Sequence, residues 1–404
     1  MYKPEKEILE KYARVMVRYA IGNGKGIKKG ETVRLMSADS AKSLYYEIAK
    51  EIYKAGGNVI SSYFPDDDNE YNFSKMFYEN ASDKQINYFP EKYFKGLVDT
   101  IDHSIFILSE TNKKALEGIP PKKIMQRGIA QKPFREMLEK KENAGKFSWT
   151  LCMYGTEEMA KEANLSEKEY WDQIIEACFL KEKDPVKKWR EVGGMVNTTI
   201  KKLNKLKIEK LHIFGKSVDL HIKIGEKRKW LGGTGANIPS FEIFISPDWR
   251  RTEGKIAFTE PLYRYGNLIT GVELEFKKGV VVNSKAKTGE SVLKEMIATK
   301  DADKVGEFSL TDKRFSKITK FMAETLFDEN VGGKYGNTHI ALGNAYKDSL
   351  DGDPSKPTAK QWAKMGFNSS VVHTDIVSTE NRVVTATLKN GKEKVIYKDG
   401  MFTL

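Results

Sequence analysis

The chain reads as an α/β protein: an N-terminal open α/β domain followed by a C-terminal α+β domain with antiparallel β structure. Three observations predict this. From the N-terminus to about Met153, apolar β-rich runs alternate with amphipathic helix-length runs, the pattern of α/β units around a mainly parallel sheet. From Thr156 to Leu206 the pattern is helical. From Ile208 onward short strands separated by turn signals take over, as in antiparallel sheets. The expected division is 1–200, an α/β domain ending in a helical bridge, and 201–404, a second domain.

The first helix is set by Ile8, Leu9, Tyr12, Ala13, Val15, Met16 and Tyr19, which recur at helical spacing. Gly22-Asn23-Gly24-Lys25-Gly26 follows a helix and leads into a strand around Thr32–Met36, so it reads as a turn and not as a phosphate loop. A helix carrying Leu44, Ile48 and Ile52 stops at Gly56-Gly57, and Val59–Phe64 is the next strand. A helix around Tyr93–Ile101 leads to the strand Ser104–Leu108. Pro120-Pro121 is expected to break the chain, Pro133 to open a charged helix, and Phe147–Met153 to form another strand. In the helical bridge, Ser166 with Glu169 three residues on is a capping box, and Asp184-Pro185 restarts the helix. The strands expected next are Leu211–Phe214, Val218–Ile224, Phe241–Ile245, Gly254–Phe258, Ile269–Phe276 and Val280–Asn283. A helix over Ser291–Ala298 and another opening near Thr338 interrupt them, and Val383–Leu388 and Val395–Lys398 close the chain around an Asn390-Gly391 turn.

Composition narrows the function classes. The 404 residues, 40% hydrophobic and 11% aromatic, suit a globular protein and not a disordered one. The net charge of +12 could mark a nucleic-acid partner, but the basic residues lie in mixed runs such as Glu139-Lys140-Lys141-Glu142, which are solvated helix faces, so no nucleic-acid partner is expected. The two cysteines, Cys152 and Cys178, form no CxxC; this excludes a disulfide framework and a thiolate zinc site and fits a reducing cytoplasm. The charged first residues carry no signal-peptide pattern, and no run of 18 apolar residues exists, so no membrane association is expected.

Chemistry-bearing residues concentrate in the second half. Four of the five histidines lie there, while the first half holds only His103 and is expected to shape a site and a partner surface. Val371–Val377 reads as a strand whose alternation points His373 and Asp375 to one face, a two-ligand platform for a divalent metal. Glu242 lies among Phe241, Ile243, Phe244 and Ile245, and Glu307 stands in the apolar run Val305–Leu310; an acid so flanked needs a partner. If Thr338 opens a helix, His339 and Tyr346 share a face, with Gly343 between them leaving room for close approach. Two histidines and three carboxylates can hold two divalent ions that activate a water and stabilise an oxyanion.

These residues resemble the aminopeptidase T / aminopeptidase S group of dinuclear metallo-aminopeptidases. The resemblance is carried by Asn237-Ile238-Pro239 ahead of Glu242, by Gly306-Glu307, by Thr325–Asn330, by His339–Tyr346 and by His373-Thr374-Asp375, and extends from about Tyr12 to the C-terminus. It implies that Glu242, Glu307, His339, His373 and Asp375 are metal ligands and that Tyr346 is a catalytic tyrosine. It also implies two divalent ions per subunit (zinc, cobalt or manganese), peptide substrates, a catalytic C-terminal domain and a homodimer. Phe241 and the Gly-rich run Gly332–Asn337 depart from the family pattern without removing a ligand. The alternative use of the same residues is a mononuclear non-haem iron oxygenase, with His339, His373 and Asp375 as a two-His-one-carboxylate set.

Overall fold

The computed structural model describes residues 2–404. The first half is built as expected around a four-stranded parallel sheet, in the order Asn58–Phe64, Thr32–Ala38, His103–Leu108, Ser148–Met153. The helix Lys42–Lys54 buries Leu44, Ile48 and Ile52 and ends where Gly56 adopts a positive φ. Pro121 does not break the chain but occupies the first turn of a helix, Pro121–Ala130, where its missing N–H costs nothing. The bridge consists of Glu157–Glu162, Glu167–Ala177 and Pro185–Lys205, with the Ser166/Glu169 capping box and Asp184 accepting from the Lys187 N–H. Trp189 of the last helix stacks on Phe241 at 5.3 Å between ring centres, which ties this helix to the strand that follows Phe241.

The second half contains two large antiparallel sheets. One has eight strands, in the order Val280–Lys285, Glu273–Lys277, Asp248–Ala257, Val218–Lys223, Ile208–Gly215, Arg382–Leu388, Glu393–Lys398, Met401–Phe402. The expected single strand Ile269–Phe276 is in fact two pieces, Asn267–Ile269 and Glu273–Lys277. Gly271 lies between them at φ +61, a left-handed turn that takes Asn267–Ile269 into a separate pairing with Leu262–Arg264.

The other sheet has five strands, His373–Ser378, Asn337–Gly343, Val305–Thr311, Glu242–Ile245 and Leu231–Gly232. Every residue of its three central strands is buried, so both faces are covered by protein. Here the structure corrects the sequence reading. His339 does not open a helix; it lies in the strand Asn337–Gly343, paired on one side with Val305–Thr311 and on the other with His373–Ser378. Two flanking strands satisfy the backbone N–H and C=O groups of this segment, so pairing outweighs whatever local helical preference Ala341 and Leu342 supply. The helical face argued to hold His339, Gly343 and Tyr346 therefore does not exist. The close approach expected at Gly343 is real but has another origin: a Cβ there would stand 2.1 Å from the Val372 carbonyl oxygen, at φ +103.

Candidate metal centre

Register collects the site. Across the five-stranded sheet, Phe308 lies opposite Ile340 and Ile245, Leu310 opposite Ile243, and Ile340 opposite Ile376, which makes one face apolar. Directly opposed residues share a face, so the alternate positions converge on the other one. Those positions are Glu242 opposite Thr311, Ser309 opposite His339, Glu307 and Asp375 both opposite Ala341, and His373 opposite Gly343. All five expected ligands thus come from four neighbouring strands and point the same way. A register irregularity at Gly306 brings Glu307 into line, and a Cβ on Gly306 would stand 2.2 Å from the Asn344 carbonyl oxygen.

His339 is at the centre. Its Nε2 lies 3.1 Å from Glu307 Oε1, 3.2 Å from Glu242 Oε2 and 3.8 Å from Asp375 Oδ1. His373 Nε2 is 3.5 Å from Asp375 Oδ1 and 3.9 Å from Glu307 Oε2. His373 Nδ1 lies 2.8 Å from the Asn344 carbonyl oxygen. That acceptor takes the Nδ1 proton and aims Nε2 at the carboxylates, the orientation of a metal-ligating histidine. Arg264 holds the same strand from behind, donating to the His373 carbonyl oxygen at 2.7 Å and to Thr374 Oγ1 at 3.2 Å.

A fourth carboxylate, Glu329, belongs to the cluster and was not singled out from the sequence. It is buried, and it can offer an oxygen within 4.8 Å of ligand atoms of His339 and Asp375. The signal was present: an acid between buried Phe327 and Val331. Its neighbours explain the run Asp328-Glu329-Asn330. Asp328 accepts from the Met322 and Glu324 N–H groups, Asn237 donates to Glu329 Oε1 at 2.7 Å, and Asn330 Oδ1 accepts from the backbone of Phe241 and Glu242.

The electrostatics call for cations. Burial, reinforced by the charges of Glu242 and Asp375, pushes Glu307 up to about 7 against the pull of the His339 hydrogen bond. Glu329 is pushed well above the carboxylate range by burial and then by the same two charges. Burial works against charge on His339, yet Glu242 and Glu307 outweigh it and hold the imidazole well above its ordinary value. Glu307 Oε2, His339 Nδ1 and Asp375 Oδ1 are buried without hydrogen-bond partners. Four carboxylates around two imidazoles, with orphaned buried oxygens, fit divalent cations, which satisfy such oxygens and neutralise the excess charge.

Tyr346 lies beyond the end of the His339 strand. Its N–H donates to Ser246 Oγ at 2.8 Å, and its ring packs edge-on against His373 at 4.8 Å and near Phe244 at 5.7 Å. Burial and then the Glu307 and Asp375 charges hold its phenol well above the usual range, so it keeps its proton. Tyr346, His373, Asp375, Glu242 and Glu307 line a cavity of about 110 Å³. The first half of the chain contributes Asn23, Glu142, Ser148 and Trp149 to the same cavity, the shaping role expected of it.

Known proteins are similar to this chain over nearly its whole length. Aminopeptidase PepS of Streptococcus thermophilus is 29% identical, with 98% of each chain covered. Aminopeptidase T of Thermus thermophilus is 27% identical, with 99% of each covered, and aminopeptidase AmpS of Bacillus subtilis 26%, with 97% of each. Wild-type AmpT from Thermus thermophilus has the same fold, with a TM-score of 0.81 at 23% identity, covering 99% of this chain and 100% of that one. The family described as thermophilic metalloprotease (M29) matches residues 5–402, every strand of the metal-ligand face included, and the chain belongs to that family.

Proposed function

We propose that the protein is a metal-dependent aminopeptidase that hydrolyses the N-terminal residue from peptides at the cluster formed by Glu242, Glu307, Glu329, His339, His373 and Asp375. The observation that carries this reading is the convergence of those side chains on one buried sheet face, beneath a cavity that also receives Tyr346. The names of the full-length relatives, aminopeptidases in each case, support the same substrate class.

Two divalent ions of the zinc, cobalt or manganese class would be held by these six residues, and when bound they supply an acidified water and a polarised scissile carbonyl. The chain's own groups do the rest. Tyr346, protonated in its buried position, donates a hydrogen bond to the carbonyl oxygen as it gains charge. The carboxylates take the proton given up by the attacking water and return it to the leaving amine as the C–N bond breaks. Arg264 and the Asn344 carbonyl keep the His373–Asp375 segment in place. Asn237 and Asn330 do the same for Glu329 and for the start of the Glu242 strand.

In this reading residues 201–404 carry the chemistry, and 1–200 close the cavity and supply a partner surface. A homodimer is part of it, supported by the exposed aromatic and thioether side chains Tyr63, Phe64, Tyr71, Phe73 and Met76 in the first half. A cytoplasmic location is also part of it, with Cys152 and Cys178 both free and buried. Among the described residues no helix is long and apolar enough to cross a membrane. The iron-oxygenase alternative would use His339, His373 and Asp375 alone, whereas Glu242 and Glu307 approach His339 more closely than Asp375 does.

The test is release of p-nitroaniline from aminoacyl-p-nitroanilides by metal-stripped protein given zinc, cobalt or manganese, with metal counted per chain. Metal-dependent release, about two ions per chain and loss of activity in His373→Ala are expected. Absence of release with every metal, or full activity in His373→Ala, overturns the assignment; one iron per chain with oxygen consumption supports the oxygenase.

A further inference from the structure

Outside the buried cluster, among the described residues, one other group of side chains has ligand atoms close enough together to hold a metal ion: His212, Asp219 and His221. They belong to the eight-stranded sheet. His212 lies in Ile208–Gly215 and His221 directly opposite it in Val218–Lys223. The two strands are joined by the two residues Lys216-Ser217, with Gly215 opposite Val218, so the pairing is fixed by a tight hairpin. Asp219 precedes His221 by two residues and shares its face. The other face of these strands carries Leu211, Ile213, Leu220 and Ile222, all buried in the core, which leaves the three polar residues on the solvent side of a rigid support.

The geometry is that of a chelate. The two imidazoles lie 4.2 Å apart, with their planes within 12° of parallel. Both present Nε2 to the same oxygen, Asp219 Oδ1, at 2.8 Å from His212 and 3.9 Å from His221. One hydrogen bond from His212 satisfies a His–Asp pair, and stacking on His212 brings the second imidazole's Nε2 to within 3.9 Å of the same oxygen. Lys210, two residues before His212, adds positive charge near His221, while the charges across the sheet are engaged elsewhere. Across the sheet, Lys255 is opposite Asp219 but pairs with Glu275 at 3.6 Å, and Glu253 is opposite His221 but accepts from the Lys278 N–H at 2.7 Å.

We infer that His212, Asp219 and His221 form a second, surface metal site for a divalent transition ion of the zinc, nickel or copper class, separate from the buried centre. Imidazole-dominated ligation selects these ions over magnesium and calcium. Three protein ligands leave at least one coordination position open, and the ligand side chains are 40%, 64% and 50% exposed, so water or an external donor completes the shell. An ion there would cross-link the hairpin strands.

The experiment counts zinc bound by the full-length protein after equilibrium dialysis against micromolar zinc, in wild type, in the double variant His212→Ala/His221→Ala and in Asp219→Asn. The double variant is expected to hold one zinc fewer per chain with peptidase turnover unchanged. Asp219→Asn, which keeps both imidazoles and the fold, is expected to bind that ion at least about tenfold more weakly. Equal zinc counts in wild type and double variant overturn the site, as does an extra ion that binds wild type only at millimolar zinc. If the double variant misfolds, unchanged zinc affinity in Asp219→Asn overturns it equally.

Discussion

Tyr346 is the side chain whose role is most open to measurement. It sits against His373, keeps its proton and lines the cavity, and in the proposed mechanism its hydroxyl is the donor to the developing oxyanion. Tyr346→Phe keeps the ring packing and removes only the donor. It is expected to lower kcat by about 10²–10³-fold, the usual cost of one such donor, with metal content and melting temperature unchanged. Glu142 poses a different residue-scale question. It accepts from Trp149 Nε1 at 2.9 Å, and partial desolvation at the cavity wall followed by the Asp348 charge pushes its carboxyl up to about 7 from an ordinary 4.5, although the residue still meets solvent, which keeps the effect small. The folded chain therefore holds this proton more tightly than the unfolded chain, and ionising Glu142 opposes folding. That penalty is absent below pH 4.5, grows as pH rises toward 7 and is constant beyond it. Glu142→Gln is accordingly expected to melt higher than wild type at pH 8, with the difference shrinking toward zero at pH 4.5 in calorimetric scans.

At the scale of elements, the centre depends on how closely the strands approach one another. Gly343 ends the His339 strand opposite His373, at a φ of +103 that L side chains avoid, with the Val372 carbonyl where a Cβ would stand. Gly343→Ala must both strain the backbone and push the His373–Asp375 segment outward. A loss of at least about 1–3 kcal/mol in urea unfolding is expected from the strain alone. Because two of the proposed ligands, His373 and Asp375, ride on the displaced segment, metal affinity measured by dialysis should fall with it. Gly343 also ends the element most misread from sequence. A helix was expected to open near Thr338; a strand covered on both faces has no polar side to alternate with, so periodicity cannot identify it.

At the scale of the molecule, a buried charge network joins the two halves of the chain. Lys113, 3% exposed and reached just after the last-but-one strand of the parallel sheet, donates to Glu110 and to Glu324 Oε2, the latter at 2.7 Å. Glu324 immediately precedes the helix Thr325–Asp328, which leads to Glu329. Lys113→Met would remove the cation that Glu110 and Glu324 share and leave Glu324 with the Arg264 charge alone. A loss of about 3–5 kcal/mol in denaturant unfolding is expected, the cost of stripping one partner from a buried ion pair. Desolvation and then the Glu324 charge hold Glu110 up to about 7 even with the lysine present, although 46% of its side chain is exposed, so protonating it offsets only a small part of the loss at acidic pH. If the two halves are coupled through this network, the variant should also bind metal less tightly.

The sequence by itself determined the parallel architecture of the first half, because alternating helical and β runs with glycine stops allow few other arrangements; the capping box at Ser166 and the helix start at Pro185 were equally local. It also singled out residues that meet at the proposed centre: His373 and Asp375 share a strand face by alternation, and Glu242 and Glu307 are acids that apolar neighbours make unsuitable for solvent. Other features depended on tertiary contacts. Register decided that residues separated by more than a hundred positions meet, since Glu242, Glu307, His339 and Asp375 converge only because four strands pair with particular offsets. Burial decided that Glu329 joins them, because one acid in a short helix–turn is indistinguishable from a surface carboxylate until the protein closes over it. Strand pairing decided the state of the His339 segment, because backbone hydrogen bonds to two neighbours are satisfied only between segments distant in the chain and leave no local pattern to read.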